Sequence, residues 1–281
     1  MQYNELKNNL IKAIDVAKSM KKPEIEDNIL IISDYISRSA GKILYIGLLS
    51  SGKKATLLTP TEAVLYSLPY YENFNKTIIF SMNPKDSRSV HAAEVSRVMN
   101  LEVEFISPKL DDTLEERLKY LGVKRIFINS EWPIITSSIA SLLWIPKDLG
   151  ERYERIKKEM DNLEGALDWL NEKYKSNIER IKKINEEFAI FYTPSTEAGG
   201  IYAYNILQNC AFALPIEFLK NKIKYRKILL TSSVDSSDFK DLIIMFKIDY
   251  TGNELIEFNT DPITVGLYSM LFISLISDKL L

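Results

Sequence analysis

Cysteine and histidine occur once each in these 281 residues, as Cys210 and His91. A lone cysteine excludes an internal disulfide and a Cys-rich zinc site. A lone histidine argues against His-based metal sites and against Ser-His-Asp chemistry. An excess of one charge is also lacking. The 36 Lys and Arg stand against 38 Asp and Glu, a formal net charge of -2, so nothing in the bulk charge draws the chain to nucleic acid or acidic membranes. The longest apolar run, Ile263–Ile276, is broken by Thr264, Gly266, Ser269 and Ser274. It is shorter than the roughly 20 residues of a membrane span and reads as a buried helix. The opening Met1-Gln2-Tyr3-Asn4-Glu5 is polar, without the apolar core of a signal peptide, and the expected location is cytoplasmic. What is present is an ordinary globular balance, 46% apolar and 26% charged, in a chain long enough for one large domain or two of common size.

Helix-spaced and strand-like segments alternate. Leu6, Leu10, Ile14 and Ala17 predict an amphipathic first helix. Pro23 opens a second, with Ile25, Ile29, Ile32 and Ile36 on one face and Gly41 at its end. A strand is expected at Ile43–Ile46, a helix after Gly52, and a strand at Thr77–Phe80. A helix over Ser89–Met99 is followed by a strand over Leu101–Ser107. A helix over Asp112–Leu121 stops at Gly122 before a strand at Lys124–Ile128, and an apolar helix runs from Pro133 to about Leu149. The highly charged stretch 151–187 reads as a helical connector between a first domain, 1–150, and a second, 188–281. Strands are expected in the second at Phe188–Thr193, Lys227–Thr231, Leu242–Ile248 and Leu255–Phe258, with a last helix over Pro262–Leu280. This alternation predicts an α/β fold in which each lobe is a parallel sheet flanked by helices, of flavodoxin type. The two lobes echo each other, and a divergent tandem duplication is expected.

The most suggestive segment is Ile43-Leu44-Tyr45-Ile46-Gly47-Leu48-Leu49-Ser50-Ser51-Gly52, read as a strand that ends in a Ser-rich loop and feeds a helix. Such a turn aims N–H groups and hydroxyls at a ligand above it and suits a phosphate. A second strand ends the same way at Ser81, and the loop beyond it carries Asn83, Lys85, Ser87 and Arg88. Gly47–Lys53 also fits Gly-x-x-x-x-Gly-Lys, but Lys54 stands where a P-loop needs Ser or Thr.

These residues resemble the sugar isomerase (SIS) family of phosphosugar-binding domains, and more narrowly its two-domain bifunctional phosphoglucose/phosphomannose isomerases. The family's Gly-Met-Gly-Gly-Ser-Gly corresponds to Gly47–Gly52, and its Ser-Tyr-Ser-Gly-Asn-Thr phosphate loop to Ser81–Asp86, where only the first Ser survives. Ile206–Ala211 and Pro215–Asn221 stand where the family has Leu-Asn-Glu-Asn-Ala and Pro-Glu-x-Asn-His-Asn, and Asp261-Pro262 leads into a similar last helix. The resemblance implies a homodimer, pairing through apolar helix faces such as the last helix and Leu6/Leu10/Ile14. It also implies a phosphorylated sugar as partner and aldose–ketose isomerisation of a hexose 6-phosphate through an enediol, with no metal or cofactor.

The departures from the family fall on its catalytic groups. The matching positions hold Asn209 for the basic Glu, Lys220 for the ring-opening His and Ile134 for an Arg. Asn cannot take up a proton at neutral pH, Pro84 removes an N–H donor, and the Asp86 carboxylate would repel a phosphate. If the chain catalyses, Glu217 or Glu197 would shuttle the proton and Lys220 or His91 would assist ring opening. Gly47, Ser50, Ser51, Ser81, Asn83, Lys85 and Ser87 would hold the phosphate and sugar. The alternative is a phosphosugar-binding relative that has lost catalysis, and a third reading is a scaffold without a small ligand. Glu217 and Lys220 equally fit a surface ion pair, and Cys210 a small buried residue.

Overall fold

Asn28 adopts the left-handed backbone (φ 61), which Asn tolerates, and launches the run Ile29-Leu30-Ile31-Ile32. Four β-branched or branched apolar residues in succession suit a strand covered on both faces. In the computed structural model, which describes residues 3–70, 73–221, 223–248 and 252–277, this run is the first strand and all five of its residues are buried. The chain divides into two compact units, Ile11–Arg155 and Ile156–Leu281, the latter joined by the first ten residues.

The first unit follows helix α1 (Tyr3–Ser19), which begins in the other unit. Its elements are β1 (Ile29–Ser33), α2 (Arg38–Ser50), β2 (Ala55–Leu58), α3 (Pro60–Glu62) running into a π-turn at Ala63–Ser67, β3 (Lys76–Phe80), α4 (Ser87–Val98), β4 (Glu102–Ser107), α5 (Asp112–Tyr120), β5 (Lys124–Phe127) and α6 (Pro133–Leu143). The strands form one parallel sheet in the order β2-β1-β3-β4-β5. Leu30, Ile32, Ile79, Val103 and Phe105 pack against Val90, Ala93 and Leu118 of α4 and α5. The opposite face carries α2 and α6, with Phe80 against Trp144 at a ring separation of 6.4 Å.

The second unit, entered within α7 (Glu151–Asp161), holds α8 (Ala166–Lys173), α9 (Lys175–Lys182), β6 (Phe188–Tyr192), α10 (Glu197–Ile206), β7 (Cys210–Pro215), β8 (Arg226–Ser232), α11 (Lys240–Ile248), β9 (Glu254–Phe258) and α12 (Val265–Ile276). Its parallel sheet runs β7-β6-β8-β9. Ala189, Phe191 and Leu229 on one face meet Ile243 and Phe246 of α11. The fold is thus α/β with two parallel sheets flanked by helices, as the alternation predicts.

The registers superimpose the two sheets. Ile29 pairs with Lys76 and Ile78 with Glu104 in the first. Phe188 pairs with Arg226 and Ile228 with Glu254 in the second. Lys76 therefore matches Arg226, and Glu104 matches Glu254. Both carboxylates are buried and both meet a cation at the amino edge of their sheet. Lys76 Nζ lies 3.2 Å from Glu104 Oε1, while Arg180 holds Glu254 through two hydrogen bonds of 2.6 and 2.8 Å. Two helix glycines match as well: a Cβ at Gly41 would stand 3.0 Å from Ser33, and one at Gly200 2.2 Å from Tyr192.

Several elements differ from the sequence reading. The helix expected from Pro23 to Gly41 contains β1. The strand expected at Ile43–Ile46 is the middle of α2, and the helix expected after Gly52 is β2. Gly52 (φ 77) is the residue that ends α2. Lys53 N donates to Leu48 O and Gly52 N to Leu49 O, both at 3.0 Å, the paired bonds of a Schellman motif. The strand expected at Leu242–Ile248 is α11, because Ile243 and Phe246 face the sheet at helical spacing. β7 has no counterpart among the expected strands. The expected last helix begins later, at Val265, and its expected end at 278–280 lies outside the described residues. Leu6, Leu10, Ile14 and the whole of α12 are buried within the chain, so these faces are not available to pair two copies. Among the described residues no helix is long and apolar enough to cross a membrane.

Candidate ligand edge of the first sheet

Open parallel sheets bind ligands beyond the carboxyl ends of the strands, where the strand order reverses. Here that point lies between β1 and β3. Asp34 follows β1, Ser81 and Met82 follow β3, and the helices α2 and α4 start just above.

Asp34 and Ser37 tie the two strand ends together. Ser37 N donates to Asp34 Oδ1 at 2.6 Å and Met82 N to Asp34 Oδ2 at 3.3 Å, while Ser37 Oγ donates to the Phe80 carbonyl at 2.8 Å. Only 5% of Asp34 is exposed. Burial pushes its carboxyl above the usual range; the Ser37 and Met82 hydrogen bonds oppose this and the Asp86 charge adds to it.

Asp86 caps α4. Its Oδ1 accepts from Arg88 N at 3.2 Å and Ser89 N at 3.3 Å, and its Oδ2 from Ser81 Oγ at 3.0 Å and from Ser89 Oγ. It is 4% exposed. Two helix N–H groups and two hydroxyls converging at a helix N-terminus make an anion cradle. The anion in it is the chain's own carboxylate. The loop below is braced by itself: Lys85 N donates to Asn83 Oδ1 and Asp86 N to Asn83 O, each at 3.0 Å.

The second sheet repeats the device. Thr196 Oγ1 donates to Leu230 O at 2.8 Å, as Ser37 does to Phe80. Asp235 Oδ2 accepts from Ser195 N at 3.0 Å and from Ser195 Oγ, and Ser195 Oγ lies 2.9 Å from Ser232 Oγ.

The residues expected to hold phosphate do not come together. α2 leaves the carboxyl end of β1 and delivers the chain to the start of the parallel β2, so Gly47, Ser50 and Ser51 lie at its far end, toward the amino edge. A helix C-terminus presents carbonyls and a partial negative charge, the opposite of an anion loop. Ser51 Oγ donates to Leu48 O at 2.8 Å. Gly47 serves packing, since a Cβ there would stand 2.5 Å from Ile145 Cγ1. Ser81 is at the expected strand end but is buried against Asp86. Asn83, Lys85 and Ser87 are exposed around it.

Of the residues expected to catalyse, Glu197 opens α10 beyond β6, and Glu217 and Lys220 lie on the short turn Ile216–Lys220 beyond β7. All three thus stand at the carboxyl edge of the second sheet. Glu217 and Lys220 are exposed, and no ion pair joins them among the described residues. Asn209 is at the amino edge, donating to Ile184 O at 3.0 Å. His91 is exposed on α4, 3.2 Å from Glu94. Cys210 is buried, and burial pushes its thiol up to about 12.

Beside the α4 N-terminus a cleft of about 450 Å³ is lined by Pro60, Thr61, Val64 and Leu65 of α3 and the π-turn, Ser87, Arg88 and His91 of α4, and Arg117 of α5. Arg117 also pairs with Glu94. A cleft of this size suits a small ligand. The sequence reading missed Asp34 and Asp235. The signal for Asp34 was an apolar four-residue run ending in Ser-Asp.

No family model matches the sequence, and no curated protein does. Solved structures do match in fold. Glucosamine-6-phosphate deaminase from Thermotoga maritima superimposes with a TM-score of 0.69 at 12% identity, over 97% of this chain and 89% of that one. Tagatose-6-phosphate ketose/aldose isomerase from Escherichia coli gives 0.60 at 10% identity, over 97% and 86%. The C-terminal domain of glucosamine-fructose-6-phosphate aminotransferase from Francisella tularensis gives 0.56 at 12%, over 97% and 92%.

Proposed function

We propose that this chain, built on the fold of the phosphosugar isomerases, binds a phosphorylated sugar without isomerising it. The reading rests on one observation above others: Asp86 fills the cradle at the N-terminus of α4. Enediol isomerisation needs a base held within reach of two carbons of a substrate fixed in place. Asn209 is neither a base nor at the right edge, and Glu217 and Lys220 have no fixed partner among the described residues. What the first unit offers instead is side-chain charge. Arg88 and Arg117 in the cleft suit a phosphoryl group, Thr61 and Ser87 suit sugar hydroxyls, and the Pro60–Leu65 wall suits the apolar face of a pyranose.

Thermal melts and calorimetry with glucose, fructose and mannose 6-phosphates, and with the free sugars, test it. A ligand that binds only the folded state raises the melting temperature. The expected result is stabilisation by at least one phosphate ester, weakened about tenfold or more in Arg88→Ala or Arg117→Ala, with no turnover in a coupled isomerase assay. Absence of any saturable binding refutes it. Light scattering on the same samples reads whether two copies associate, as the resemblance implies.

Isomerisation is the second reading, favoured by the common edge that Glu197, Glu217 and Lys220 share in the second sheet. Turnover that disappears in Glu217→Gln or Glu197→Gln would replace the first reading with this one.

A further inference from the structure

We infer that Asp86 is a specificity-determining residue: its carboxylate keeps phosphoryl groups out of the carboxyl edge of the first sheet, and its replacement turns that edge into a phosphate site. The inference deepens the non-isomerising reading, in which a phosphate ester is held by cleft side chains and not by the cradle.

The argument starts from donors. Arg88 N, Ser89 N, Ser81 Oγ and Ser89 Oγ all point at one place, at the start of a twelve-residue helix. Each lies within 3.3 Å of a carboxylate oxygen. Four donors aimed at one anion form the complement of a phosphoryl group as well as of a carboxylate. The Asp86 side chain is nearly sealed from water, so it cannot share the cradle with a guest. Asp34, equally buried, places a second carboxylate beside it. A phosphate approaching this edge meets the Asp86 carboxylate, and a contact between like charges at low effective dielectric weakens binding by at least about tenfold. In the second sheet the half-buried Asp235 likewise places a carboxylate on strand-end donors, Ser195 N and Ser195 Oγ.

The test uses ¹⁵N-labelled full-length protein titrated with inorganic phosphate. Two variants, Asp86→Ser and Asp86→Asn, keep a side chain that caps helices well, and thermal melts verify folding. In the wild type, amide shifts at Ser81, Arg88 and Ser89 stay small up to high phosphate. In Asp86→Ser they saturate, with an affinity at least about tenfold higher than the wild type's. Asp86→Asn, isosteric with the native residue, gains less but in the same direction. Saturable wild-type binding at those three amides, equal to that of the variants, overturns the inference. So does a folded Asp86→Ser or Asp86→Asn protein whose amides ignore phosphate. Shifts at Leu65 and Arg117 report the cleft separately. Failure of sugar phosphates to bind the wild-type cleft therefore sinks the proposed function without touching this result, and the reverse holds equally.

Discussion

Replacing Gly47 discriminates between a helix-packing glycine and a ligand loop. A Cβ built at Gly47 stands 2.5 Å from Ile145 Cγ1, 2.9 Å from its Cδ1 and 3.5 Å from its Cβ. Ile145 is 1% exposed, and the clash reaches the branch of the side chain, so rotating a distal methyl does not relieve it. Overpacking of this kind costs about 1–3 kcal/mol. Exchange of Gly for Ala in a helix interior returns about 1 kcal/mol. The net for Gly47→Ala is a destabilisation of roughly 0–2 kcal/mol, too small a number to decide anything alone. The decisive quantity is the coupling. Ile145→Ala opens a cavity and costs about 2–5 kcal/mol. In that background the methyl introduced by Gly47→Ala has room and partly fills the cavity, so the helix gain survives. The double variant is then more stable than the sum of the singles by at least about 1 kcal/mol. Urea unfolding of the four proteins, followed by the fluorescence of Trp132 and Trp144 in the same unit, measures it. A coupling below about 0.5 kcal/mol would show that Gly47 does not pack on Ile145 and would reopen the loop reading of Gly47–Gly52.

Three further outcomes follow from the same structure. Lys76→Ala leaves the Glu104 carboxylate buried without its cation and costs about 3–5 kcal/mol in urea unfolding, whereas the pair Lys76→Met with Glu104→Leu falls much closer to the wild type; equal losses in both would mean the pair is not coupled. Asp34, with its folded-state pKa raised by burial, holds a proton in the folded state after the unfolded chain has lost it near pH ~3.9. Stability conferred by that proton is present below this value and declines as pH rises through the folded pKa, so the urea midpoint falls over that window in the wild type and is flatter in Asp34→Asn. Cys210, with its thiol raised by burial to about 12, resists iodoacetamide at about pH 8 in the native protein and reacts once urea unfolds it; rapid native labelling would contradict the burial.

The α/β class was legible because strands and helices alternate, and β3, β4, β5, β6, β8 and β9 lie where runs such as Thr77–Phe80 and Phe188–Thr193 put them. The error at the amino-terminal end has one physical cause. A strand buried on both faces is continuously apolar, and so is a helix packed between a sheet and another helix. Ile29–Ile32 and Ile43–Leu49 are both such runs, and periodicity alone assigned them the wrong way round. The arbiters were local: Asn28 in the left-handed backbone before one, and Gly52 as a helix stop after the other. The site was less legible than the fold. Ser81 was found from its strand end, but a hydroxyl at a strand end reads the same whether it faces a ligand or an aspartate five residues on. Asp86 could be read as hostile to phosphate; that its oxygens gather the donors of Ser81 and Ser89 depends on loop geometry set by Pro84 and Asn83.

The two sheets separate their charges by edge, and this bears on how such a fold stands without a ligand. At the amino edges a buried glutamate of the fourth-position strand, Glu104 or Glu254, is matched by a cation, Lys76 or Arg180 with Arg226. At the carboxyl edges an aspartate, Asp86 or Asp235, accepts from hydroxyls and N–H groups, with the Arg88 guanidinium 3.9 Å from Asp86. The first arrangement neutralises charge and serves stability. The second places a carboxylate on donors that a bound oxyanion would otherwise occupy. A chain that provides this anion itself stabilises its helix N-termini without any ligand. It thereby uncouples the integrity of the fold from the presence of a phosphate.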